Sequence, residues 1–251
     1  MPEPSEVRMA QNIYDDEIFF AGYSQLPRSI EGLEGAPEWP SLRALLPPLA
    51  GRRVLDLGCG FGWFCRWASH QGAASVTGID LSSRMLARAK AETQDPMIAY
   101  VNADLEQFDA EAATFDLVYS SLAFHYLRDL TRLLTNVHEA LRPGGKLVFS
   151  VEHPIYTAPR EPGWLTNVAG RGQWPVDGYL DEGARSTDWL VKGVIKQHRM
   201  IGTYVDLLRR AGFVIAHIEE RGPSREQAAS HPEWAPERER PMFLLLACDR
   251  A

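Results

Sequence analysis

The sequence predicts an α/β fold with a mostly parallel sheet and helices on both faces. Between residues 52 and 153, short β-branched apolar runs alternate with longer stretches of helical period, the pattern of successive right-handed βαβ units. The first of those runs opens into Gly58-Cys59-Gly60-Phe61-Gly62, with glycine at every second position. A glycine turn at the carboxyl end of a parallel strand is where such sheets bind ligands. Further on, Pro143-Gly144-Gly145 stops a helical stretch and turns the chain into another apolar run.

The elements follow in order. Residues 1–50 hold an aromatic segment (Tyr14, Phe19, Phe20, Tyr23), then Pro37 and a helical stretch near Ser41–Leu46; they are expected to form an N-terminal cap. The core, 51–153, carries strands at Arg53–Leu57, Ser75–Ile79, Ile98–Asn102, Leu117–Ser120 and Lys146–Val151. Helices are expected at Trp63–His70, Ser82–Glu92 and Leu130–Leu141, the second capped by Ser82. Residues 154–198 are rich in Pro, Gly and Trp without a clear period, and read as a lid insertion. The C-terminal part of the core, 199–251, holds a helix at Ile201–Ala211 stopped by Gly212, then strands Phe213–Glu219 and Met242–Ala247. A polar, charged loop separates these last two, which fit an antiparallel pair at one side of the sheet. The whole chain, 1–251, reads as a single domain.

Composition excludes several functions. A net charge of −7 and a pI near 5.5 argue against a broad basic face, so no nucleic-acid partner is expected. No apolar run approaches the ~18 residues that span a bilayer, and MPEPSEVRMAQ lacks the apolar core of a signal peptide. Three cysteines without a C-x-x-C pair fit a reducing cytoplasm. The seven histidines show no ligand spacing, so no metal is expected. The expected assembly is a monomer or homodimer.

Glycine permits positive φ and lets the backbone approach a ligand without a Cβ in the way. That suits a dinucleotide or another nucleoside-containing cofactor. A dinucleotide turn reads G-x-G-x-x-G, but here Trp63 stands where the third glycine belongs. The neighbouring strand ends are acidic. Asp56 precedes the glycines, Asp80 ends the run Val76-Thr77-Gly78-Ile79-Asp80, and Asp104 follows the next strand in Asn102-Ala103-Asp104-Leu105. Asp80 is placed to accept hydrogen bonds from ribose hydroxyls, and Asp104 from an adenine amino group. An acidic rim repels a pyrophosphate and favours a cofactor carrying positive charge, a sulfonium with an ammonium group over NAD.

The motifs VLDLGCGFG (54–62), VTGIDLSSRML (76–86), NADLEQF (102–108), FDLVYSSLAFHYLRD (115–129) and LRPGGKLVFSVEHP (141–154) together resemble the class I S-adenosylmethionine-dependent methyltransferases of small-molecule type. The resemblance covers about residues 50–155, in the family's order and spacing. It implies a Rossmann-like seven-stranded sheet, mostly parallel, with the last strand antiparallel. It implies S-adenosylmethionine as cofactor and methyl transfer to an oxygen, nitrogen or carbon of a small organic molecule. By the same match Gly58 and Gly60 line the methionine portion and Asp56 orients its amino group. Asp80 holds the ribose, Leu81 and Met85 contact the adenine, and Asp104 with Leu105 holds the adenine edge. Ser120 or Ser121 faces the methionine end. From the N-terminal cap, Tyr23 supplies an aromatic cover and Arg28 a fork for the methionine carboxylate. The alternative on the same fold is a non-catalytic cofactor-binding or partner-regulating module.

Bland readings stand beside these. Asp80 could serve as a helix cap, Asp104 as a surface turn, Met85 and the tyrosines as core, and Cys59 as small filler. The acceptor site rests on position alone. His125, after the fourth strand, and His153, at the end of the fifth, are candidates for substrate contact or general base; each could instead be a buried histidine held by backbone. His198 and Arg199, at the end of the lid, could contact an acidic substrate, and Tyr204 follows one turn into the next helix. Tyr156, Trp164, Trp174, Tyr179 and Trp189 in the insertion suit either a pocket for an apolar, aromatic or amine acceptor or a lid packed on itself.

Overall fold

The structure, a computed structural model, describes residues 11–251. The first ten residues, part of the expected cap and most of the stretch read as lacking a leader, lie outside them. In chain order the elements are α1 (Glu17–Tyr23), α2 (Pro27–Ile30), α3 (Trp39–Leu45), β1 (Arg53–Leu57), α4 (Trp63–His70), β2 (Ser75–Asp80), α5 (Ser83–Ala91) and β3 (Ile98–Asn102). Then come β4 (Phe115–Ser121), α6 (Thr131–Ala140), β5 (Leu141–Glu152), α7 (Pro154–Thr157), β6 (Leu165–Thr166), β7 (Gly172–Gln173), β8 (Gly183–Trp189) and β9 (Val191–His198). The chain closes with α8 (Ile201–Arg210), β10 (Val214–Arg221), α9 (Arg225–Ser230) and β11 (Phe243–Asp249).

Seven strands form the main sheet in the order β10-β11-β5-β4-β1-β2-β3. Six run parallel and β11 runs antiparallel between β5 and β10. The antiparallel last pair expected from the sequence is therefore present. Alternation along each strand sends side chains to two cores. Leu55, Leu57, Leu147, Phe149, Leu244 and Leu246 meet α6 and α8. Val54, Val148 and Leu245 meet α3 and α4 through Trp39, Leu42, Phe64 and Ala68. Burial on both faces is why β1 and β5 read as near-continuous apolar runs.

Local chemistry sets the ends that matter. Ser82 caps α5 by accepting from the Met85 N–H at 3.1 Å. The 3-10 turn Ile13–Asp15 is tied to the same helix end: Asp15 accepts from Ser82 Oγ, Ser83 Oγ and the Arg84 N–H. Pro143-Gly144-Gly145 does not precede the fifth strand but interrupts it. Leu141 pairs with Phe115 and Lys146 with Leu117, so the intervening residues form a bulge, with Gly144 at φ 77°. The 154–198 segment, read as lacking periodic structure, carries two small antiparallel sheets, β6–β7 and β8–β9.

Candidate active site

A cavity of about 280 Å³ runs along the carboxyl ends of the parallel strands. Residues at and after the ends of β3, β2 and β1 line one half: Asp104, Leu105, Asp80, Leu81, Met85, Gly58 and Gly60. The residues ending β4 and β5 line the other: Ser121, Leu122, Ala123, His125, Tyr126, Leu127 and Glu152. The point where the chain order reverses, between β1 and β4, lies in the middle, as the rule for open α/β sheets requires. A second cavity of about 100 Å³ adjoins it, with Asp56 on its wall. Tyr23, Arg28, Gly58, Gly60 and Ser121 line both.

The glycine turn is shaped by positive φ: 78° at Gly58, 52° at Gly60 and 73° at Gly62. A Cβ on Gly58 would lie 2.4 Å from Ala123 Cβ, and one on Gly62 would lie 2.1 Å from Tyr100 Oη. At Gly60 a Cβ would meet nothing within 4 Å, because the position faces the cavity. The turn's donors are spent internally. Gly58 and Cys59 N–H donate to Ile79 O, Gly60 N–H to Asp80 Oδ2, and Gly62 N–H to Cys59 O. No row of free N–H groups remains to cradle a pyrophosphate. Trp63, in place of the third dinucleotide glycine, packs on Gly32 of the N-terminal segment instead.

Asp80 receives the Gly60 and Ser82 N–H groups at 2.9 and 2.8 Å. Burial nevertheless pushes its carboxyl up to about 6. Asp56 is more deeply enclosed, its Oδ2 accepting only from Cys65 Sγ at 3.2 Å, and burial pushes it up to about 7. Both carboxylates are therefore poised to gain from a cationic partner. Asp104 uses Oδ1 for the Glu106 N–H, while Oδ2 is buried without any partner. A buried orphan acceptor is costly unless a ligand donor meets it, and an adenine amino group is such a donor. The residues present fit S-adenosylmethionine: an orphan acceptor for its base, a carboxylate with spare lone pairs for its ribose, and a Cβ-free turn for its methionine portion. Arg28 Nη2 is engaged with Glu38 at 2.8 and 3.0 Å, which positions the guanidinium at the junction of the two cavities.

Several sequence expectations need correction. Ser120 is buried and donates from Oγ to Leu57 O at 2.7 Å, tying β4 to β1; Ser121 is the one on the cavity wall. His153 faces away. Its Nδ1 accepts from the Ile155 N–H, capping α7, and Nε2 donates to Glu220 at 2.8 Å. His198 bonds Thr157 Oγ1 and Tyr179 O, and Arg199 donates to the Leu127 and Arg128 carbonyls, bracing the segment after β4. Tyr204, on α8, belongs to the core. Ser120, His153, His198, Arg199 and Tyr204 line neither cavity.

His125 does line it. Burial holds its pKa down at about 4, so the ring is neutral near pH 7. Nδ1 accepts from the Glu152 N–H at 3.3 Å, which leaves the proton on Nε2. The ring can then donate to an acceptor molecule but cannot take its proton at Nε2. Glu152 and Tyr126 were missed by sequence reasoning, while Ser121 was the second of the two serines it named. Of the insertion's aromatics, Tyr156 and Trp189 reach the cavity, where Tyr14, Tyr23 and Tyr126 complete an aromatic wall. Trp164, Trp174 and Tyr179 do not.

Residues 55–149 match the Methyltransferase domain family. A crystal structure of an S-adenosylmethionine-dependent methyltransferase from Mesorhizobium loti is 56% identical, with TM-score 0.84, covering 87% of this chain and 100% of that one. A crystal structure from Listeria monocytogenes, described as a candidate of the same class, is 39% identical with TM-score 0.79, covering 86% and 99%. Malonyl-[acyl-carrier protein] O-methyltransferase of Enterobacter lignolyticus is 41% identical over 110 residues, 44% of this chain and 43% of that protein. The chain belongs to the class I S-adenosylmethionine-dependent methyltransferases.

Proposed function

We propose that the enzyme methylates an oxygen, nitrogen or carbon nucleophile of a small organic molecule, within one catalytic unit whose cap and lid are 1–50 and 154–198. The observation that carries this reading is the cavity itself: it continues past the glycine turn into an aromatic-lined half with His125 and Glu152 on its wall. A module that only bound cofactor would have no use for that open half. The recessed site and the net charge of −7 support a small molecule over a nucleic acid.

When bound, S-adenosylmethionine supplies an electrophilic methyl carbon with an excellent leaving group. The protein's part is alignment. Asp80 and Asp104 fix the nucleoside end, while Asp56 and Arg28 hold the ammonium and carboxylate of the methionine end. His125 orients the acceptor by donating from Nε2. No helix among the described residues is long and apolar enough to cross a membrane. The cysteines are buried free thiols, which supports a cytoplasmic setting.

Calorimetry with S-adenosylhomocysteine tests the reading. The wild type is expected to bind one equivalent, and Asp80→Asn to bind ~10–100-fold more weakly through loss of charge-assisted hydrogen bonds. Folded protein that binds neither this compound nor labelled S-adenosylmethionine would overturn it.

A further inference from the structure

Glu152 is the ionised group that the acceptor half of the cavity presents. Its Oε1 is held by Lys196 Nζ at 2.5 Å. Burial raises the carboxyl's pKa, but the Lys196 ammonium outweighs that and holds it below the ordinary carboxylate range. Lys196 lies behind the wall: it is 4% exposed, sits 4.7 Å from the Trp189 ring centroid, and does not line the cavity. Glu152 does line it, and its Oε2 is buried with no hydrogen-bond partner. The cavity wall therefore presents the Glu152 carboxyl group, with one acceptor oxygen still unpartnered, and not the cation that neutralises it.

The rest of the wall agrees. Tyr14, Tyr23, Tyr126, Tyr156 and Trp189 surround this half, and aromatic faces attract cations. His125 is neutral, and Arg28 is taken up by Glu38 and, in the reading above, by the methionine carboxylate, so among the described residues lining the cavity no further cation is left to hold an anionic acceptor. An orphan carboxylate oxygen gains most from a charged donor, since such hydrogen bonds are about twice as strong as neutral ones.

We propose that the acceptor molecule carries an amine, bound as its ammonium form or through its N–H groups at Glu152 Oε2 against the aromatic wall, and that carboxylate-bearing acceptors are excluded. The proposal rests on the methyl-transfer reading above and concerns recognition. It does not require the anchored nitrogen to be the atom methylated.

The test uses protein saturated with S-adenosylhomocysteine, titrated calorimetrically with a panel of primary aryl- and alkylamines and their matched alcohols and carboxylates. The amines are expected to bind at least about tenfold more tightly than the alcohols, and the carboxylates not to bind. Glu152→Gln is expected to cut the amine preference below about threefold while leaving S-adenosylhomocysteine affinity unchanged. Failure of every amine to bind, carboxylates binding as well as amines, or an undiminished preference in Glu152→Gln would each overturn the proposal. Failure of the wild type to bind S-adenosylhomocysteine at all would instead overturn the methyl-transfer reading beneath it.

Discussion

At the scale of single residues, the three turn glycines are there for different reasons, and substitution separates them. Gly62→Ala forces a Cβ into Tyr100 Oη at 2.1 Å, at a φ that L-residues avoid. It is expected to lower stability by roughly 2–4 kcal/mol, read as a drop in Tm and denaturation midpoint. Gly60→Ala has the strained φ but no steric conflict, since its Cβ would project into the cavity. It is expected to cost only about 1–2 kcal/mol of stability while weakening S-adenosylhomocysteine binding disproportionately. Equal effects of both variants on binding, at matched stability, would contradict the idea that Gly60 faces the ligand and Gly62 does not. The same scale shows where sequence reading stops. The acidic strand ends were legible because parallel strands deliver their last residues to the ligand edge. Which of two adjacent residues turns inward was not. Ser120 and Ser121, or Glu152 and His153, exchange places with a one-residue change of register, and the register is set by strand pairing that a single sequence does not display.

At the scale of elements, the doubly covered strands announced themselves as apolar runs, whereas the β8–β9 hairpin did not. Gly183-Ala184-Arg185-Ser186-Thr187-Asp188-Trp189 has few apolar residues to alternate, because it alternates between half-buried and exposed positions and buries no core face of its own. Yet its last residue, Trp189, reaches the cavity and meets Phe19 and Tyr23 of α1 edge-on, at 5.3 and 6.2 Å between ring centroids. The N-terminal segment is fastened from the other side by Asp15, which acts as a second cap on α5. Asp15→Ala is expected to remove roughly 1 kcal/mol, a typical cap contribution. Its effect should appear locally: faster proteolysis near residues 11–25 and faster release of S-adenosylhomocysteine, with little change in global Tm. A uniform loss of stability with unchanged release would mean that the turn merely packs and does not cover the site.

For the whole molecule, the sheet collects carboxylates where burial makes their charge expensive, and a cationic ligand reverses that cost. Asp56 and Asp80 have folded pKa values pushed up to about 7 and about 6, against about 4 in an unfolded chain. Between those values the folded state binds more protons than the unfolded one. Their contribution to stability therefore falls as pH rises from about 4 through about 7. Binding runs the other way, because the ammonium and sulfonium groups of the cofactor call for ionised partners. The ligand-free protein is thus expected to lose Tm across this window relative to Asp56→Asn, which lacks the upper part of the slope. Affinity for S-adenosylhomocysteine, whose ammonium stays charged throughout, is expected to rise through pH 6–7 and level off above it, and to be flatter in Asp56→Asn. Differential scanning calorimetry and isothermal titration at stepped pH measure both slopes on the same protein. Parallel slopes in wild type and variant would show that Asp56 takes no part in holding the methionine end, and the second cavity would then need another occupant.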